Sequence, residues 1–279
     1  MGSLSDYAEN RVLNHFFNSS QTVGSTVYIG LSTADPTDAA TGASCNECAN
    51  ANNYARKVIT FGAPASRRTT QSAQVDFNTA SGSWGTVTHW FIADSATYGA
   101  GNVLAYGALS SSISPVNGNT PRIASGQVWV QIDAIANYGF TTYAANAILG
   151  HLFCATSFTS TAGNTFLALL TSTCSDAATT MAGQAELSGN GYAKKEVNEN
   201  GGASPAWTAV SGGALSNGAD VTFATPTGAW ATFVAVAIVD ASSGTSANVI
   251  AYDNTITDQP AALNDTVQFL SGDFDISLS

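Results

Sequence analysis

The chain has 279 residues, of which 10% are charged and 44% hydrophobic, and 19 Asp and Glu against 8 Lys and Arg give a net charge of -11. That balance argues against a nucleic-acid binder, which needs clustered cations to neutralise phosphates. The apolar content argues against a disordered chain. The longest nearly apolar run, Ala229 to Val239, is about half of the roughly 20 residues that a helix needs to cross a bilayer, so no membrane span is expected. The start, MGSLSDYAENRVLNHFF, carries acidic residues and His15 where a secretory signal has a basic and then an apolar stretch, so no signal peptide is expected either.

The first predicted element is a short helix. Val12 with Phe16 and Leu13 with Phe17 lie four residues apart and give it one apolar face, and Asp6 with Glu9 fits a capping box. Short β segments follow: VYIGLS from Val27, QVDF from Gln74, THWFIAD from Thr88, NVLAY from Asn102 and QVWVQI from Gln127. All are rich in β-branched and aromatic residues and are separated by Gly, Asn, Ser or Pro. Val128, Val130 and Ile132 alternate as a half-buried antiparallel strand does.

From Thr141 the pattern starts again. TTYAANAILGHLFC matches SDYAENRVLNHFFN, with Tyr7/Tyr143, Ala8/Ala144, Asn10/Asn146, Leu13/Leu149, His15/His151 and Phe17/Phe153 identical. Thr142, the counterpart of Asp6, is a competent N-cap, and Ile148 with Leu152 renews the apolar face. TFLALL, DVTF, FVAVAIV, NVIAY and DFDISL then take the places of the first-copy strands, and NGYAKK pairs with NNYARK. FVAVAIV is apolar on both faces, as a central strand is, and Phe274, Ile276 and Leu278 repeat the closing alternation. The spacing between matched blocks drifts from 136 to 146 residues in the intervening loops. The fold class expected is mainly β: two homologous antiparallel β-sandwich domains in tandem, residues 1–136 and 137–279, each with one short N-terminal helix. A short linker around ANYGF joins them.

Few ionisable groups are shared by the copies. Asp94 and Asp240 end the same apolar strand and suit Asx-turns. His15 and His151 lie on the helices and read as core-edge residues; His89 aligns with Ala235. No nucleophile elbow, phosphate loop or dinucleotide fingerprint is present, so no catalytic residue, cofactor or metal ligand is assigned. The pairs Arg56-Lys57, Arg67-Arg68 and Lys194-Lys195 read as solvated surface.

Cys45-x-x-Cys48, Cys154 and Cys174 lack the two ligand pairs of a zinc site. The ends of the second helix and of its following strand can meet, which suggests a Cys154–Cys174 disulfide, with Cys45 and Cys48 closing a small loop; buried free thiols are the equal alternative. Trp90 and Trp129 align with Val236 and Asp275, which makes them candidates for interface aromatics, with core packing as the other reading. Through Ala136 there are 6 basic and 8 acidic residues, and beyond it 2 and 11. Unequal charge on homologous domains points to different neighbours for the two copies.

The order of SDYAENRVLNHFF, VYIGLSTADPTD, NNYARKVITFG, SAQVDFNTASGSWGTVTHWFIAD, GNVLAYGAL and SGQVWVQI resembles a family of tailed-bacteriophage virion structural proteins described as tail fibre proteins. The resemblance covers Ser5 to Asp133. The second copy is similar to a diverged member, keeping ADVTFATPTGAW, NVIAY and SGDFDISL but carrying TSTCSDA in place of the TADPTD turn. The resemblance implies a non-enzymatic, β-rich virion protein of tail fibre or tail-tip type, assembled in the host cytoplasm. Its partners would be other virion proteins of capsid, neck or tail, further copies of itself in a homo-oligomer, and a host surface glycan, with neither nucleic acid nor membrane among them. Two alternatives stand beside it: a capsid decoration (cement) protein bridging capsomers, and a virion-borne glycan-binding module or depolymerase.

Overall fold

A computed structural model describes residues 2–19, 21, 26–134, 136–156 and 164–278. The first copy runs β1 (Gly2–Leu4), α1 (Asp6–Phe17), β2 (Val27–Ser32), β3 (Lys57–Ile59), β4 (Arg68–Thr70), β5 (Val75–Asp76), β6 (Val87–Ala93), β7 (Val103–Ile113), β8 (Arg122–Ile123) and β9 (Trp129–Gln131). The second runs β10 (Tyr138–Phe140), α2 (Thr142–Phe153), β11 (Thr165–Leu170), β12 (Lys195–Val197), β13 (Ala214–Ser216), β14 (Val221–Thr222), β15 (Trp230–Phe233), β16 (Ala235–Val239), β17 (Val249–Asp253), β18 (Gln259–Ala261), β19 (Gln268–Phe269) and β20 (Asp275–Ser277). The chain is mainly β, and among the described residues no helix is long and apolar enough to cross a membrane.

In the first copy β3-β2-β6-β7-β1-β9-β4 form one sheet, and β5 with β8 forms a separate ribbon. Ile29, Leu31, Trp90, Ile92 and Leu104 point from one face into the main core, where Val130 of β9 and its flanking residues Val128 and Ile132 join them. The other face is also dry, because Phe91, Ala93 and Val103 pack under the loop that carries Ala40 and Cys45. Central strands covered on both faces lose the polar/apolar alternation, which explains FVAVAIV in the second copy. There β16 lies between β11 and β17, and all five of its residues are buried.

Each helix is capped one residue earlier than the capping-box reading places it. Ser5 Oγ accepts the Ala8 N–H at 3.4 Å, and Thr141 Oγ1 accepts the Ala144 N–H at 3.2 Å. Each hydroxyl in turn donates to a strand carbonyl, Ser5 to Val103 and Thr141 to Val249 at 2.6 Å, so the cap also locks helix to sheet. The ANYGF stretch is a strand rather than a free linker: Tyr138–Phe140 forms β10 and pairs antiparallel with β17.

The copies do not fold side by side as closed units. Helix α1 packs on β7 of its own copy and on β13 of the other, while α2 packs on β17 and on β4. β4 and β13 occupy the same place in their copies, because each follows a tight turn (Ala65 bridging Arg68, Ser211 bridging Ala214) and pairs with the last strand. The helix contacts are therefore reciprocal, and the two halves are related by a quasi-twofold axis.

Candidate functional site

The structure places the residues singled out from sequence as follows. Trp90 is 2% exposed and packs in the main core against Gly2, where an added Cβ would collide with its ring, so it is no interface aromatic. Trp129 is half-buried, and the Arg68 guanidinium lies over its indole 4.0 Å from the ring centre. All four cysteines are free thiols, and neither expected pair is formed. Cys154 Sγ donates to the Gly62 carbonyl at 3.2 Å, whereas Cys174 packs in another cluster with Ala178 and Met181. Cys45 and Cys48 point into different clusters as well. Burial pushes the Cys45 thiol up to about 11 and that of Cys48 to about 12, which holds both neutral and unreactive. Asp94 and Asp240 brace the same turn: each takes the backbone N–H of Asn102 or Asn248 at 2.7 Å on one oxygen and that residue's side-chain amide on the other.

One member of each basic pair, Arg56, Arg67 and Lys194, has its side chain buried rather than solvated, while Lys57, Arg68 and Lys195 stay partly exposed. Arg56 is 6% exposed, bonds both oxygens of Glu47 (2.8 and 2.7 Å) and donates to the carbonyls of Ser95, Ala100 and Gly42. Tyr54 gives its hydroxyl to the same Glu47 at 2.9 Å. The second copy repeats this arrangement with Lys194 and Tyr192 on Glu186 at 3.3 and 3.2 Å. These pairs tie a long loop over the outer sheet face and belong to the fold.

The seam is built from residues that the copies share. Asn10 Oδ1 accepts the Gly213 N–H and Asn146 Oδ1 accepts the Arg67 N–H, both at 2.9 Å and each across the copies. Asn18 donates to the Thr208 carbonyl as its counterpart Cys154 does to that of Gly62. Phe17 packs edge-on against Trp207 with ring centres 5.0 Å apart, and Phe153 meets Phe61 at 5.2 Å. Between the two helices the rings of His15 and His151 meet with centres 4.5 Å apart, tilted by 41° to one another.

Two places break the symmetry. In the first copy Gly2 of β1 bridges Val130 of β9, and Trp90 fills the space behind it. The second copy has Tyr138 for Gly2 and Val236 for Trp90; β10 reaches only β17, and β20 pairs with β13 in a separate ribbon. The smaller side chain leaves a cavity of about 260 Å³ between Tyr138, Val236 and Ile276. It adjoins a wider groove of about 630 Å³ lined by Asp253, Asp265, Gln268, Phe269, Asp273 and Phe274. The carboxylates of this groove hold turns: Asp253, Asp265 and Asp273 accept the backbone N–H groups of Thr255, Ala262 and Leu270.

The second break lies at the helix N-termini. Arg67 crosses from the first copy, bonds the Phe140 carbonyl and forms an ion pair with Asp176, whose other oxygen takes the Thr142 hydroxyl at 2.8 Å. At the corresponding place in the first copy, Asp6, Glu9 and Asp38 converge without a basic side chain among them, the one group of its kind among the described residues. The residues read from sequence as a capping box thus meet a third acid from a distant loop.

A family model described as Podophage GP4 fiber I protein gp80 matches the chain twice, over residues 3–131 and 139–277. No curated protein matches it.

Proposed function

The chain belongs to the podophage GP4 fiber I protein gp80 family, in two tandem copies, and from that premise we propose that it is a non-enzymatic structural protein of the virion, of tail fibre or tail-tip type. The observation that carries this reading is where the shared polar groups go. Asn10, Asn146, Asp94, Asp240, Glu47 and Glu186 all brace the seam, a turn or a loop, which is the use a structural module makes of them. With the boundary between copies at Ala136 and Asn137, the first half carries a charge of -2 and docks on other virion proteins, while the second, at -9 and bearing the groove, faces outward. Further copies of the chain complete a homo-oligomer on the particle.

The groove supports a second role. Its carboxylate and amide oxygens beside Phe269 and Phe274 suit a host surface glycan, whose hydroxyls need acceptors and whose ring faces need apolar partners. Gold-labelled antibody against the protein on purified particles tests the main reading. Label at the tail is the expected result. Label spread over the head would replace the fibre role with capsid decoration, and particles without label would overturn both.

A further inference from the structure

The quasi-twofold axis makes each half a control for the other. Gly213 occupies the place of Arg67 by three matches: its N–H is taken by Asn10 as that of Arg67 is by Asn146, its carbonyl accepts from Leu278 at 3.0 Å as that of Arg67 does from Ile132 at 2.9 Å, and the φ angles are 68° and 65°. Asp38 likewise matches Asp176, since their carbonyls accept the N–H groups of the equivalent residues Asp6 and Thr142 at 3.2 and 2.9 Å. Between the halves, then, Thr142 becomes Asp6, Ala145 becomes Glu9, and Arg67 becomes Gly213. A pocket holding one carboxylate and one guanidinium has become a pocket holding three carboxylates.

Glu9 makes the imbalance acute. It is 3% exposed, and no donor among the described residues bonds its carboxyl. A Cβ on Gly213 would collide with its Oε2, so the Glu9 carboxyl stands in the path that the Arg67 side chain takes in the other half. A buried carboxylate without hydrogen bonds or a cation is costly, and two further acids beside it add repulsion. One oxygen each of Asp6, Glu9 and Asp38 lies within 4.8 Å of the others. Oxygens that share one calcium ion at roughly 2.4 Å stand at most about 4.8 Å apart, so the spacing of the three meets the condition for sharing one ion. Asp38 is exposed, which gives an ion an entry path and leaves room for water ligands.

We propose that Asp6, Glu9 and Asp38 bind one divalent cation of the calcium class, which takes the place that the Arg67 guanidinium fills in the other half. The all-oxygen, irregular donor set suits calcium better than magnesium, whose octahedral demand is stricter.

The test uses the full chain, stripped with chelator and titrated with calcium chloride in a calorimeter at mildly alkaline pH, with thermal unfolding followed in parallel. One ion per chain and a Tm that rises with calcium are expected. Glu9→Gln and Asp38→Asn should each weaken binding about tenfold or more. Asp6→Thr, Glu9→Ala and Gly213→Arg together rebuild the second-copy arrangement and should fold with a Tm indifferent to calcium; Glu9→Gln and Asp38→Asn decide the matter if that variant does not fold. Absence of saturable binding by the unaltered chain, or binding unchanged in Glu9→Gln and Asp38→Asn, would overturn the proposal.

Discussion

Glu9 carries the clearest electrostatic strain in the chain. Burial first, then the charges of Asp38 and Asp6, push its carboxyl up to about 8 from an ordinary 4.5. Tyr106 on β7 and Asp133 near the copy junction also face this pocket, and neither supplies a cation. The raised value fixes the sign of the pH effect. Between 4.5 and 8 the unfolded chain has released the proton and the folded chain keeps it, so the contribution is full below the lower value and is lost as pH rises through the upper one. In calcium-free buffer Tm should therefore fall across that window, and Glu9→Gln should flatten the fall. A Glu9→Gln curve parallel to that of the unaltered chain would show that another group titrates. Single residues were only partly legible in the sequence. Asp6 and Glu9 read as a cap because their third partner, Asp38, comes from a loop that only the fold brings in. Arg56 and Lys194 read as solvated because burial of a cation depends on a distant carboxylate. The signal was nonetheless present, since Glu47 and Glu186 stand shortly before Tyr54 and Tyr192 in both copies.

At the level of elements, the long and strongly patterned ones were readable: both helices, β2, β6, β7 and their second-copy counterparts lie where apolar periodicity places them. The three-residue strands β1 and β10 were not, because so short a run has no period to detect and is defined by its partner. Nor does periodicity say which sheet a helix covers. The apolar faces of α1 and α2 were legible, but their use as reciprocal bridges was not. Phe17 shows what that use implies. It is fully buried, with its ring against Trp207 of the other copy and near Phe140, the last residue of β10. Phe17→Ala should cost about 3–5 kcal/mol in urea unfolding, the usual range for a large core truncation. It should also lower the melting of both halves together. Loss confined to the first copy would mean that α1 serves its own sheet alone.

For the whole molecule, the duplication explains both the length and the unequal charge. Two copies of one fold share a seam made of equivalent residues, as the subunits of a twofold dimer do, so the tandem is an internally paired dimer on a single chain. Fusion frees the halves to diverge: among the described residues the second has a cavity where Trp90 stands in the first, and the first has three acids where Arg67 reaches in the second. The junction at Ala136 and Asn137 is exposed and accepts a protease site. Cleavage there, followed by size-exclusion chromatography under native conditions, tests the pairing directly. Reciprocal bridging by the two helices predicts that the two pieces co-elute at the volume of the intact chain and separate only in denaturant; elution as two independent smaller species would contradict it.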